Sequence, residues 1–146
     1  MAAKHMQEGE IMAFLNALND GGGVAEAAAY LDAGGDINAA IVPIIEQTML
    51  HFAAIYRHAE LIEFLARHGA NINTRNAHGM TALHLAINHE IDGIMLKKQT
   101  PDFPIARQLI EFGALLDTSD DYGRTPRAVA EPYGQPMLDL FDEAVK

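Results

Sequence analysis

Apolar positions along the chain recur at helical spacing, in short runs broken by glycine and proline. Leu50 and Ala53 stand three apart, and Leu83 and Ala86 repeat that interval, which marks one face of an α-helix. Leu61, Ile62 and Leu65 predict a second helix just downstream of the first pair. Thr48 and Thr81 sit where the first helices begin, and a hydroxyl there can accept a bond from the N–H groups that a helix start leaves over. Gly69 and Gly113 follow the last apolar turn of the second helices, where a left-handed residue closes a helix. Asn76-Ala-His-Gly79 and Asp120-Asp-Tyr-Gly123 then read as tight turns. Gly21-Gly-Gly23 reads as a loop between two helices. It lacks the following Lys-Ser or Lys-Thr and the preceding strand of a phosphate cradle.

The pattern repeats. Thr48-Met-Leu-His-Phe-Ala53 returns 33 residues later as Thr81-Ala-Leu-His-Leu-Ala86, and more faintly as Thr125-Pro-Arg-Ala-Val-Ala130. A second signature is interleaved with it: Leu61-Ile-Glu-Phe-Leu-Ala-Arg-His-Gly-Ala-Asn-Ile-Asn73 matches Ile105-Ala-Arg-Gln-Leu-Ile-Glu-Phe-Gly-Ala-Leu-Leu-Asp117, with a degenerate copy at Ala29–Asn38. These residues resemble the ankyrin repeat, a unit of about 33 residues with a β-turn and two antiparallel helices. The resemblance covers about Glu10 to Val145 and implies an all-α, short solenoid of helix-turn-helix repeats joined by β-turns. Repeats are expected at about 10–38, 48–73, 76–117 and 120–145 of a single domain spanning 10–146, the first and last being the least typical, as end caps are. Residues 1–9 are expected to form an N-terminal tail, with Met1-Ala-Ala-Lys-His-Met6 a candidate vector remnant.

Three departures individualise the chain. About eleven extra residues fall between the helices of the third repeat, within His89–Phe103. They hold Lys97-Lys98, Pro101 and Phe103 ahead of Pro104, and are expected as a loop bulging from the helix-connection side. The second repeat is entered by an apolar linker, Ala39–Gln47, containing Pro43. Arg57 stands where the family places a helix-breaking glycine.

Charge narrows the partners. The 146 residues carry a formal charge of −10, with −6 on residues 1–46, +1 on 47–110 and −5 on 111–146. Nucleic-acid binding needs Lys and Arg to displace counterions, so no nucleic acid is expected, and an anionic membrane surface is disfavoured in the same way. Apolar stretches such as Ile41–Ile45 fall short of the roughly 20 residues that span a bilayer. No cysteine is present, which removes disulfides, thiolate metal sites and thiol nucleophiles. A cytoplasmic monomer without cofactor is the expectation.

Candidate chemistry adds little. Seven histidines invite a metal, but His51 and His84 occupy equivalent repeat positions, and repeats stack roughly 10 Å apart, too far for two ligands of one zinc near 2 Å. The resemblance implies instead that they tie neighbouring backbone turns together. His58, His68 and His78 read as surface or turn residues. Asp117–Gly123 misses the glycine position and the final bidentate Glu of a calcium loop. No serine or threonine sits in a glycine-flanked elbow, so no catalytic residue and no metal site is assigned.

The resemblance further implies a concave face built from turn tips and first helices. It places Ile44, Ile45, Gln47, Ile55 and Tyr56 there from the second repeat. Ala77, His78, Met80, Asn88 and His89 come from the third, and Asp121, Tyr122, Arg124, Pro132 and Tyr133 from the fourth. Tyr56, His89 and Tyr133 are equivalent positions, and aromatic side chains are enriched in binding hot spots. Thr48, His51, Gly69, Thr81, His84, Gly113 and Thr125 take structural roles. The leading expectation is a non-catalytic module that binds another protein on this face. The alternatives are an acidic immunity or antitoxin protein masking a basic toxin, a host-directed bacterial effector or adaptor, and, last, a metal-dependent enzyme.

Overall fold

Antiparallel helical pairs follow one another along the chain in the computed structural model, which describes residues 5–97 and 102–146. Helix α1 (Glu8–Asn19) pairs with α2 (Val24–Asp32), α3 (Met49–Ile55) with α4 (Ala59–Arg67), and α5 (Ala82–Met95) with α6 (Pro104–Glu111). A 3₁₀ helix (Arg127–Tyr133) pairs with α7 (Gln135–Ala144). Successive first helices pack on one another, α3 on α5 and α5 on the 3₁₀ helix, while α2, α4 and α6 form the second layer. Among the described residues no strand forms. The architecture is an all-α solenoid.

Local chemistry sets the helix starts. The Thr48 hydroxyl accepts from His51 N–H at 3.4 Å, and His51 Nδ1 accepts from Thr48 N–H at 3.1 Å. Thr81 and His84 repeat that reciprocal box at 3.5 and 3.1 Å. Thr125 accepts from Ala128 N–H at 3.3 Å, but alanine stands where the histidine would be, so nothing reciprocates. With Pro126 at its N-cap and Pro132 inside the segment, a 3₁₀ helix forms there in place of an α-helix. Gly69 and Gly113 adopt φ of 90° and 101° after α4 and α6. Beyond them Ala70 N–H bonds Leu65 O and Ala114 N–H bonds Leu109 O, closing each helix.

Apolar side chains from every pair meet in one continuous core. Phe14, Leu61, Ile62, Leu65, Leu83, Ile87, Ile91 and Leu109 are wholly buried in it. Asparagines stitch the second-helix ends together. Asn38 Oδ1 accepts from Asn71 N–H at 2.8 Å, and Asn73 Oδ1 accepts from Leu115 N–H at 2.9 Å.

Several sequence expectations are corrected. His89 to Met95 are not loop: they continue α5, because Ile87, Ile91 and Ile94 keep the helical interval and Ile91 is fully buried. Phe103 does not sit on a bulge. It is fully buried, its ring edge-on to Phe141 at 5.4 Å. Lys98 and Pro101, like Met1–Lys4 of the expected tail, lie outside the described residues. The tail is also shorter than expected, since Met6 is buried and α1 begins at Glu8 behind a Gln7–Glu10 capping box. The linker Ala39–Gln47 is itself a turn, closed by Ile41 N–H to Gln47 O at 2.8 Å. Arg57 takes the left-handed conformation, φ 54°, of the glycine it replaces.

Candidate functional site

Three finger-like turns project side by side ahead of the first helices. The first spans Ile41 to Gln47, the second is closed by Asn76 N–H to Met80 O at 2.9 Å, and the third by Asp120 N–H to Arg124 O at 2.9 Å. Each of the last two is held from within by one side chain. Asn76 Oδ1 accepts from the N–H groups of His78 and Met80, and Asp120 Oδ1 from those of Tyr122 and Arg124. Neighbouring fingers are linked through backbone, Ala77 N–H to Ile45 O and Asp121 N–H to His78 O, both at 3.0 Å. Gly79 permits this closeness. Its φ is 74°, and a Cβ there would lie 2.5 Å from both Asp121 Oδ1 and Arg75 Nη2.

The two repeated histidines anchor the fingers from behind. With Nδ1 accepting, the Nε2 of His51 carries the proton and donates to Thr74 O at 3.0 Å and Met80 O at 3.2 Å. His84 Nε2 likewise donates to Arg124 O at 2.9 Å. Burial lowers the pKa of both rings, against the opposing pull of these carbonyls, so both are neutral imidazoles that fasten one repeat's finger to its neighbour's helix. Burial works against the ionised form of Asp120 too. The N–H bonds from Arg124 and Tyr122 and the Arg124 guanidinium outweigh it, holding this carboxyl below the usual range.

The expected contact residues divide into three groups. Tyr122, Tyr56 and Tyr133 are exposed, at 71%, 40% and 40%, and His78, Asn88 and Asp121 join them at the surface. Ile45, Ile55, Met80, His89 and Arg124 are half-buried. Gln47 is corrected: it is not at the surface but buried at the base of the first finger, its Oε1 accepting from Asn76 Nδ2 at 3.2 Å. His89 also departs from its supposed equivalents. Tyr56 caps the end of α3 and Tyr133 ends the 3₁₀ helix, whereas His89 lies inside the lengthened α5. Its pKa is lowered by burial, opposed by Asp92. Ile44, at the tip of the first finger, is the most exposed large apolar side chain among the described residues, at 87%.

Two working residues escaped the sequence reading. His58 caps α4, accepting from Leu61 N–H at 3.3 Å through Nδ1, while Nε2 donates to Gly21 O in the first repeat. Glu90 is buried inside α5, where its Oε1 accepts from Ala106 N–H at 3.0 Å and so caps α6 from a distance. The N-cap of α6 is Phe103, which cannot do this itself. Burial pushes Glu90 up to about 7, opposed by the N–H groups of Ala106 and Ile105. An acid falling on the same helix stripe as Ile87 and Ile94 was the available signal. Among the described residues no three His, Asp or Glu side chains gather as a metal-ligand set, and no described helix is long and apolar enough to cross a membrane.

Comparison with known proteins agrees with this geometry. A family model of ankyrin repeats, in three copies, matches residues 14–100. The chain belongs to the ankyrin repeat family. Ankyrin repeats generally serve protein–protein interaction. Among curated relatives, the human protein phosphatase 1 regulatory subunit 27 is 35% identical over 92 residues, covering 63% of this chain and 53% of that protein. Mouse ankyrin repeat and SOCS box protein 6 is 30% identical over 100 residues, 68% of this chain and 21% of the relative. Human transient receptor potential cation channel subfamily A member 1 is 32% identical over 94 residues, 63% of this chain and 7% of the channel. The chain thus spans about half the length of the first of these relatives and much less of the others.

Proposed function

We propose that this ankyrin-repeat chain is a non-catalytic module that binds a protein partner on the face made by its three fingers and first helices. The observation that carries the reading is the rigid, backbone-linked row of fingers beside Tyr56, Tyr122 and Tyr133. Three of the four tyrosines in the chain stand in solvent there. Aromatic rings bury much area with few rotors, which suits hot spots, and a preformed face binds with little ordering cost. One relative is named as a regulatory subunit, which favours a regulatory role here as well.

Charge favours a basic surface on that partner. Residues 5–56 hold Glu8, Glu10, Asp20, Glu26, Asp32, Asp36 and Glu46, with no lysine or arginine. Such a field steers an oppositely charged protein during approach. The reading is tested by paired capture from extract of the source cell, using the native chain and a Tyr56→Ala, Tyr122→Ala, Tyr133→Ala variant matched by circular dichroism. A partner held by the native chain and lost by the variant is expected. A partner held equally by both would move the binding surface elsewhere.

A further inference from the structure

Beside the third finger lies a small hollow of about 100 Å³, lined by Met80, His84, Leu85, Asn88, Arg124 and Val129. Small-molecule sites are about 300 Å³ or larger, so this volume suits a single side chain. Met80, Leu85 and Val129 give it apolar walls. His84 closes one side, its ring fixed by the bond to Arg124 O.

Two polar groups at the hollow are left open. Arg124 is held in place: its Nε and Nη2 both bind Asp120 Oδ2 at 3.0 Å, and its guanidinium lies 5.3 Å from the centre of the Tyr122 ring. Nη1 takes no part in these contacts. Asn88 is exposed on α5, and among the described residues nothing bonds its amide. The charges that act on His84 are Asp120, Arg124 and Arg75. The Asp120 side chain is wholly buried and that of Arg124 is 40% exposed. Arg75 is answered by Asp121 at 3.4 Å. The exposed cation at the hollow is therefore the Arg124 guanidinium, paired with Asp120 along one edge and turned to solvent along the other.

We propose that this hollow is a socket for one aliphatic side chain of an extended partner segment, with an adjacent carboxylate of that segment on Arg124 and its peptide group on the Asn88 amide. The inference rests on the binding face described above and adds the chemistry of one contact within it. The acidic ends draw in a partner of opposite overall charge, while the socket selects an aliphatic residue beside an acid. A guanidinium already fixed on one edge loses little freedom on taking a carboxylate, which makes it a good anchor.

The test uses methyl and amide NMR of the full chain with acetyl-Ala-Leu-Asp-Ala-amide at millimolar concentration. Two control peptides replace Leu by Ala or Asp by Lys. The Leu-Asp peptide is expected to shift signals of Met80, Leu85, Asn88 and Val129, and each control to bind about tenfold more weakly. Asn88→Ala, a surface change that leaves folding intact, is expected to weaken the Leu-Asp peptide severalfold. Arg124→Gln, checked for folding by its spectrum, is expected to abolish the preference for Asp over Lys. Equal binding of the Asp and Lys peptides, shifts gathered elsewhere, or no shift at all would overturn the socket. If in addition the triple tyrosine variant still loses its partner, the binding face stands and the socket alone falls. If that variant keeps its partner, the face itself is misplaced.

Discussion

At the scale of single residues, the fold depends on polar side chains that use their bonding capacity inside the structure. His84 satisfies Thr81 N–H with one ring nitrogen and Arg124 O with the other. His84→Ala would leave both groups without their partner, a loss expected to cost about 2–4 kcal/mol, read as a lower urea midpoint. Both buried histidines have pKa values lowered below 6.5 by burial. Their contribution is fully present above pH 6.5 and is lost as pH falls through the lower folded-state values. Glu90 has the opposite sign. Raised from 4.5 to about 7, it contributes fully below pH 4.5, and that contribution is lost as pH rises through about 7. Glu90→Gln should therefore gain stability relative to the native chain between pH 5 and 8, on the order of 3 kcal/mol, measured by urea unfolding at each pH. A constant difference across that range would show that Glu90 does not titrate there. The structural part of the two repeated histidines could be reached through the family resemblance. That of Gln47 could not, because a turn residue's burial depends on which neighbouring finger closes over it.

Element boundaries expose where local patterns stop being enough. The capping threonines and the closing glycines mark helix ends through local chemistry, and those ends were legible in the sequence. The repeat pattern places the extra residues of the third repeat in a loop, although Ile87, Ile91 and Ile94 carry the helical interval onward. Phe103 was invisible as a core residue because its partner, Phe141, belongs to the last helix, far along the chain. Phe103→Ala should cost about 3–5 kcal/mol, detectable as a thermal shift, and a change under 1 kcal/mol would contradict its place in the core. Arg57 makes a converse case. A non-glycine residue at φ 54° carries a left-handed penalty of about 1–2 kcal/mol, partly offset by the greater unfolded freedom of glycine. Arg57→Gly is expected to stabilise the α3–α4 turn by about 0.5–1 kcal/mol, visible as a higher unfolding midpoint.

For the molecule as a whole, the proposed function rests on a stack that presents one edge rigidly. The histidine bonds and finger-to-finger backbone bonds run from Ile45 to Arg124, so the face is fixed before any partner arrives. The acidic ends repel themselves and attract bases, and both effects weaken with salt. Partner association should slow markedly between low and physiological ionic strength while dissociation changes little, as stopped-flow mixing would record. A salt-independent association rate would remove the steering role. The most direct measurement of the central claim is amide hydrogen exchange of the chain alone and in its captured complex. Slowed exchange is predicted in the three fingers and in α5, with α2, α4 and α6 unchanged. Protection confined to α2, α4 and α6 would place the partner on the opposite side and contradict the account.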